Sequence, residues 1–253
     1  MNPRLRDWHG RRVWLFGASA GIGEALAREL HRRGARLALS ARSAPRLQAL
    51  AAELPGSMVL PCAAADTDGM QAALASLQAA WGGIDLVVYL AGDYAPMRAA
   101  DFDPGRALQL LDVNFAGALR LAGVMLPALQ PGNGLAFVAS VAGYRALPKA
   151  LAYGPGKAAL IHFAEGLHLD LAPRGIGVWL INPGFVATRL TAGNDFAMPA
   201  LLTPAEAAVR TLDGLASGAF EITYPRRFTL WLKLLRCLPD RLYFPLIRRL
   251  TGG

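Results

Sequence analysis

Cysteine is almost missing from this sequence. Cys62 and Cys237 are the only two among 253 residues, and they lie far apart with no metal-ligand spacing. A disulfide framework is excluded, no metal site is expected, and a reducing cytoplasm is the expected compartment. Long apolar runs are also missing. None reaches 18 residues uninterrupted, so no transmembrane helix is predicted. Behind Arg4, Arg6, Arg11 and Arg12 the apolar run Val13 to Phe16 is too short for a signal-peptide core. There is no internal repeat, low-complexity stretch or linker, and the length suits one domain with a large core.

Acidic residues are scarce as well, 18 against 26 lysines and arginines, for a net charge of +8. The excess is not evenly spread. Arg226, Arg227, Lys233, Arg236, Arg241, Arg248 and Arg249 face a single acid, Asp240, so the last 28 residues carry +6 and the rest of the chain only +2. No nucleic-acid reader module accompanies these cations, and too much aliphatic bulk lies between them, so nucleic acid is not an expected partner.

What is present has a regular order. Val13 to Phe16 reads as a strand, followed by Gly17-Ala-Ser19-Ala-Gly21-Ile22-Gly23 and a helix from Glu24 to Arg33. Strand, glycine turn and helix form the setting of a phosphate-binding loop: glycine lets the backbone approach a pyrophosphate, and the helix N-terminus faces its charge. Further strands are predicted at Arg36–Ser40, Ser57–Pro61, Ile84–Leu90, Leu135–Ser140, Gly175–Ile181 and, as an edge strand, Phe220–Tyr224. Helices are predicted at Ala44–Leu54, Met70–Trp81, Pro104–Pro127, Leu151–Ala172 and from the capping box Thr203-Pro-Ala-Glu206 to Leu215. Alternating strands and helices predict an α/β fold, a doubly wound parallel sheet with helices on both faces. The second strand ends at Ala41-Arg42, where an acid would bind the ribose hydroxyls of NAD; an arginine there suits a 2′-phosphate and favours NADP.

The stretch Ser140 to Lys157 carries the chemistry. Ser140 closes an apolar run, and Tyr153 and Lys157 stand four apart, on one helix face. An ammonium beside a phenol is expected to lower the phenol's pKa towards neutrality and fit it for proton exchange with a substrate hydroxyl or carbonyl.

Together these residues resemble the short-chain dehydrogenase/reductase family over about Arg11 to Tyr224. Gly17/Gly21/Gly23, Asp66, Ala91-Gly92, Asn114, Ser140, Tyr153, Lys157 and Pro183-Gly184 stand in that family's order. The resemblance implies a Rossmann-type domain over residues 1–225, with 226–253 as a basic, apolar extension of it. It implies Tyr153 as general acid/base, Lys157 as ribose holder and pKa modulator, and Ser140 as orienter of the carbonyl. Asn114 would keep a water in a proton relay. Gly17, Ser19, Gly21, Ile22 and Gly23 would hold the pyrophosphate, Asp66 the adenine, and Ala91 and Gly92 further parts of the cofactor. Pro183, Gly184, Val186 and Thr188 would belong to the segment closing on the carboxamide. Two departures are visible: Tyr89-Leu90 where the family often has two asparagines, and Phe16 where it usually has threonine.

The expected activity is NADP(H)-dependent hydride transfer between nicotinamide and a carbonyl or secondary alcohol of an apolar substrate. The segment Leu190 to Leu202, with Phe196, Met198, Leu201 and Leu202, is expected to line or cover the pocket. A competing reading keeps the nucleotide site in a membrane-associated scaffold or sensor without turnover; the intact set of four argues against it. Another keeps the fold for an epimerase or dehydratase. The resemblance implies a homodimer or homotetramer. The basic tail has three open readings: peripheral contact with anionic lipid, a cover over the substrate cleft, or a subunit interface.

Overall fold

Seven parallel strands alternate with helices in the computed structural model, which describes residues 2–194 and 197–251. The strands are β1 (Arg12–Phe16), β2 (Arg36–Ser40), β3 (Met58–Val59), β4 (Leu86–Tyr89), β5 (Gly134–Val138), β6 (Gly177–Pro183) and β7 (Glu221–Tyr224). Their order is β3-β2-β1-β4-β5-β6-β7. The helices are α1 (Gly21–Arg32), α2 (Ala44–Glu53), α3 (Thr67–Trp81), α4 (Pro104–Leu111), α5 (Gly117–Met125), α6 (Tyr153–Leu171), α7 (Pro204–Ser217), α8 (Arg226–Arg236) and α9 (Asp240–Thr251).

The central strands are apolar throughout because both faces are covered. Alternation assigns Val13, Leu15, Leu37, Leu39, Leu86 and Val88 to one core layer, under α1, α2 and α7. Trp14, Phe16, Val87, Tyr89, Leu135 and Phe137 face the other, under α3, α5 and α6. The chain winds outward in both directions from the β1–β4 pair, where Phe16 lies opposite Tyr89. A crevice opens at the carboxyl ends of the strands at such a switch point, and this positions the site.

Three local findings go beyond the sequence reading, and the first corrects it. The helix expected from Pro104 to Pro127 is broken in its middle by one π-helical turn, Asp112–Ala116, with Asn114 in it. The stretch Pro104–Ala128 is long and apolar enough to span a membrane, with a mean hydropathy of 1.3. Here its Ala118, Leu121, Ala122 and Met125 are core residues. Second, the N-terminal segment is built in. Asn2 is buried and its side chain bonds the Val178 peptide in both directions, at the part of β6 that lies before β7 begins. Third, the tail is two helices packed on the body.

Candidate active site

A cleft of about 950 Å³ runs along the carboxyl ends of β1, β2, β4, β5 and β6. Its floor is the glycine turn. Gly17 has φ +109°, and a Cβ there would meet the Ala91 nitrogen at 2.4 Å. A Cβ on Gly23 would meet the Gly17 oxygen at 2.2 Å. The loop therefore closes backbone on backbone, leaving its outer side to the cleft. The N-cap of α1 is Ala20, which supplies no side-chain acceptor, so the first N–H groups of the helix open onto the cleft uncapped. Such a cradle fits a pyrophosphate. Thr188 from the loop after β6 comes down on Gly21, whose Cβ would lie 3.1 Å from the Thr188 methyl.

At one end of the cleft stand Arg42, Ser43 and Arg46, with both arginines exposed. The described lining has two carboxylates, Asp93 and Asp112. Asp93 pairs with Arg106 at 2.7 Å and Asp112 with Arg120 at 2.7 Å. Neither opposes a phosphate near Arg42.

At the other end the catalytic candidates converge. Ser140 follows β5, its Oγ accepting from the Ala142 N–H at 3.1 Å. Tyr153 opens α6 and shares a side-chain hydrogen bond with Ser140. Lys157 lies one turn on, 3% exposed, with Nζ donating to the Val138 carbonyl at 3.0 Å. Nζ is 5.7 Å from the Tyr153 ring centre. Asn114 is fully buried: its Nδ2 donates to the Asp93 carbonyl at 2.7 Å, and its Oδ1 accepts from the Asp93 N–H at 3.3 Å. A Cβ on Gly92 would lie 3.1 Å from Asn114 Oδ1 and 3.5 Å from Lys157 Nζ, so glycine is what lets these groups meet. The π-helical turn swings Asn114 inward to this point; such turns recur at functional sites.

Tyr153, expected to have a lowered pKa, is raised by burial, with the Ser140 hydrogen bond pulling part of the way back. Burial brings Lys157 down to about 8. Desolvation disfavours the charged form of each.

Every cofactor candidate named from the sequence lines the cleft except Asp66. Asp66 stands beside the lining residues Cys62, Ala63, Ala64 and Ala65, exposed, with its Oδ1 accepting from the Gly69 N–H at 2.8 Å as the N-cap of α3. Capping occupies one carboxylate oxygen, because an aspartate just before a helix finds unpaired N–H groups within reach. In the segment Leu190 to Leu202, Leu190 lines the cleft, while Leu202 is buried in the core under α7 and Met198 and Leu201 stand away from the lining. Phe196 lies outside the described residues.

The sequence reading missed Arg46, Asp93, Arg106 and Tyr94. Arg46 was within reach, four residues from Arg42 at the start of a helix. Tyr94 packs edge-on against Tyr153 at 5.1 Å between ring centres, a contact across 59 residues that no local spacing announces.

Fold and site together define a dinucleotide-binding oxidoreductase. The family model for short chain dehydrogenase matches residues 11–197. A Myxococcus xanthus protein named an uncharacterized oxidoreductase is 35% identical over 95% of this chain and 97% of its own. A short chain dehydrogenase from Burkholderia cenocepacia, solved with NADP, superposes with a TM-score of 0.83 at 24% identity, covering 97% of this chain and 99% of the other. Another from Burkholderia phymatum, solved with NAD, has a TM-score of 0.81 at 20% identity over 91% and 94% of the two chains. The chain belongs to the short-chain dehydrogenase/reductase family.

Proposed function

We propose that this protein is an NADP(H)-preferring reductase or dehydrogenase acting on a carbonyl or secondary alcohol of an apolar substrate. The observation that carries the chemistry is the Ser140–Tyr153 hydrogen bond backed by the buried Lys157. Nicotinamide, when bound, supplies or accepts the hydride, and its oxidised form adds a positive charge that favours the Tyr153 phenolate. The chain's own part is position and a proton. In the reductive direction Ser140 and Tyr153 hydrogen-bond the carbonyl oxygen, and Tyr153 delivers its proton there as the carbon becomes tetrahedral. In the other direction Tyr153 takes the hydroxyl proton. Lys157 holds the ribose and stabilises the phenolate, and Asn114, fixed on the Asp93 peptide, keeps a water within reach of Lys157.

The preference for NADP(H) rests on Arg42 and Arg46, which line the cleft beside Ala41 with no carboxylate next to them among the described lining residues. Solved neighbours are found with either nucleotide and do not decide the matter. Ser19, Ile22 and the three loop glycines hold the pyrophosphate in this reading. Ala91, Gly92, Pro183, Gly184, Val186 and Thr188 wall the nicotinamide end. Residues 226–253 extend the same domain. The protein works as a homodimer or homotetramer, for which Leu108 and Leu169 on α4 and α6, 66% and 74% exposed, offer apolar surface.

The test is fluorescence titration with NADPH and NADH. Wild type binds NADPH more tightly; Arg42→Ala weakens NADPH about ten- to hundredfold, the loss of a charge-assisted contact, and leaves NADH nearly unchanged. Equal losses for both would overturn the preference. Tyr153→Phe binds NADPH normally and loses about 10² to 10⁴ in turnover; near wild-type turnover would overturn the assignment of the acid.

A further inference from the structure

The tail helices have an inner and an outer face, and the outer one is wrong for water. On α8 the inner face holds Phe228, Thr229, Leu232 and Lys233. Phe228 lies 5.5 Å from Phe185 between ring centres, Thr229 is fully buried, and Lys233 pairs with Glu221 of β7. The outer face carries Arg227, Leu230, Trp231 and Leu234 at i, i+3, i+4 and i+7. Leu230, Trp231 and Leu234 are 55%, 64% and 60% exposed. On α9, Tyr243 and Ile247 turn inward, the Tyr243 hydroxyl donating to the Ala146 carbonyl at 2.7 Å and Arg145 lying over its ring. Leu242, Phe244 and Leu250 stay about half exposed or more, beside Arg241, Arg248 and Arg249. Six large apolar side chains thus stand 49–64% exposed on two consecutive helices, a heavy apolar load for a segment that meets water alone.

Charge decides among the candidates for what covers it. Asp240, the tail's one acid, is paired with Arg145, and Lys233 is paired with Glu221. Among the described residues Arg226, Arg227, Arg236, Arg241, Arg248 and Arg249 have no acidic partner. A two-fold contact of this surface with a second copy would set these like charges against each other. An anionic bilayer instead receives both features: apolar side chains enter the acyl boundary, and long arginines reach back to the phosphates. We propose that the outer face of α8 and α9 docks the protein peripherally on anionic lipid. The same helices touch Tyr144 through Lys233, Arg145 through Asp240, Ala146 through Tyr243 and Phe185 through Phe228, next to Ser140 and the Pro183-Gly184 wall of the cleft. Docking would therefore bring the nicotinamide end of the cleft close to the lipid surface, where an apolar substrate would be met.

The experiment is flotation of the full chain with vesicles of phosphatidylcholine alone and with one third phosphatidylglycerol, at 0.1 and 0.5 M NaCl. The expected result is binding to the anionic vesicles only, weakened by salt. Arg241→Gln with Arg248→Gln lowers the affinity about twenty-five-fold, fivefold per cation lost. Trp231 is also a reporter, since Trp8, Trp14 and Trp179 are buried and Trp81 is half-buried under Arg36 on the body of the domain. Vesicles with brominated acyl chains quench wild-type emission, and Trp231→Phe, which keeps the apolar side chain, loses that quenching while still floating. No flotation with anionic vesicles at low salt overturns the proposal. So does equal binding to neutral vesicles, or a dimer that Leu230→Gln with Leu234→Gln converts to monomer without any vesicle binding by wild type. NADPH titration of every variant separates this result from the oxidoreductase reading, because these positions lie outside the cleft.

Discussion

Lys157 shows how one residue can be legible in kind and not in state. Its spacing from Tyr153 is written in the sequence, but burial sets its charge. With its pKa near 8 in the folded chain against 10.5 for a free lysine, the folded protein binds fewer protons than the unfolded one between those values. Stability from this group therefore rises with pH across that window. Tyr153, raised above 10, acts against folding only at higher pH, and Cys62, pushed up from 9.0 to about 11, begins to oppose above 9. Between pH 8 and 9 the lysine acts almost alone. The melting temperature of wild type should climb relative to Lys157→Met over that interval, measured by scanning calorimetry. Parallel curves for the two proteins would contradict the burial of the charge. Asp66 adds a local role to the expected one: its carboxylate caps the helix that begins beside it.

Among the elements, the strand–turn–helix unit of β1 and α1 is the most tightly specified. Its glycines are needed less for turning than for closeness. Gly23 has ordinary φ, yet a methyl group there would overlap the Gly17 carbonyl. Gly23→Ala must therefore push the loop open, with a cost of about 1–3 kcal/mol from overpacking. A melting temperature several degrees lower and at least tenfold weaker NADPH binding are expected; unchanged binding would mean that the turn does not cradle the pyrophosphate. The π-helical turn between α4 and α5 is the element that sequence periodicity could not supply. Its apolar spacing continues as an ordinary helix on either side, and only the meeting of Asn114 with the Asp93 peptide marks the extra residue.

For the molecule as a whole, Glu221 joins the body to its tail. Burial pushes its carboxyl up, but hydrogen bonds from Lys233, Tyr144 and Asn182 hold it below the ordinary glutamate value. One side chain on β7 thus connects α8, the loop after β5 and β6. Glu221→Gln leaves Lys233 without its partner and removes one charge-assisted contact, about 1.5–3 kcal/mol. Trypsin should then cut the arginine-rich tail several-fold faster, with the cleft's NADPH affinity little altered. An unchanged cleavage rate would show that the apolar contacts of Phe228 and Tyr243 hold the tail by themselves.

The order of strands and helices, the glycine turn after β1 and the Tyr153–Lys157 spacing on one helix were determined by sequence, because periodicity, glycine turns and short spacings act over a few residues. Tertiary structure alone decided the inward swing of Asn114, the direction of the Tyr153 pKa and the face by which the tail meets the body. Each depends on groups far apart in the chain: Asp93 with Asn114, Lys157 with Val138, Lys233 with Glu221, Tyr243 with Ala146. Desolvation and long-range pairing exist only once the sheet has brought such groups together.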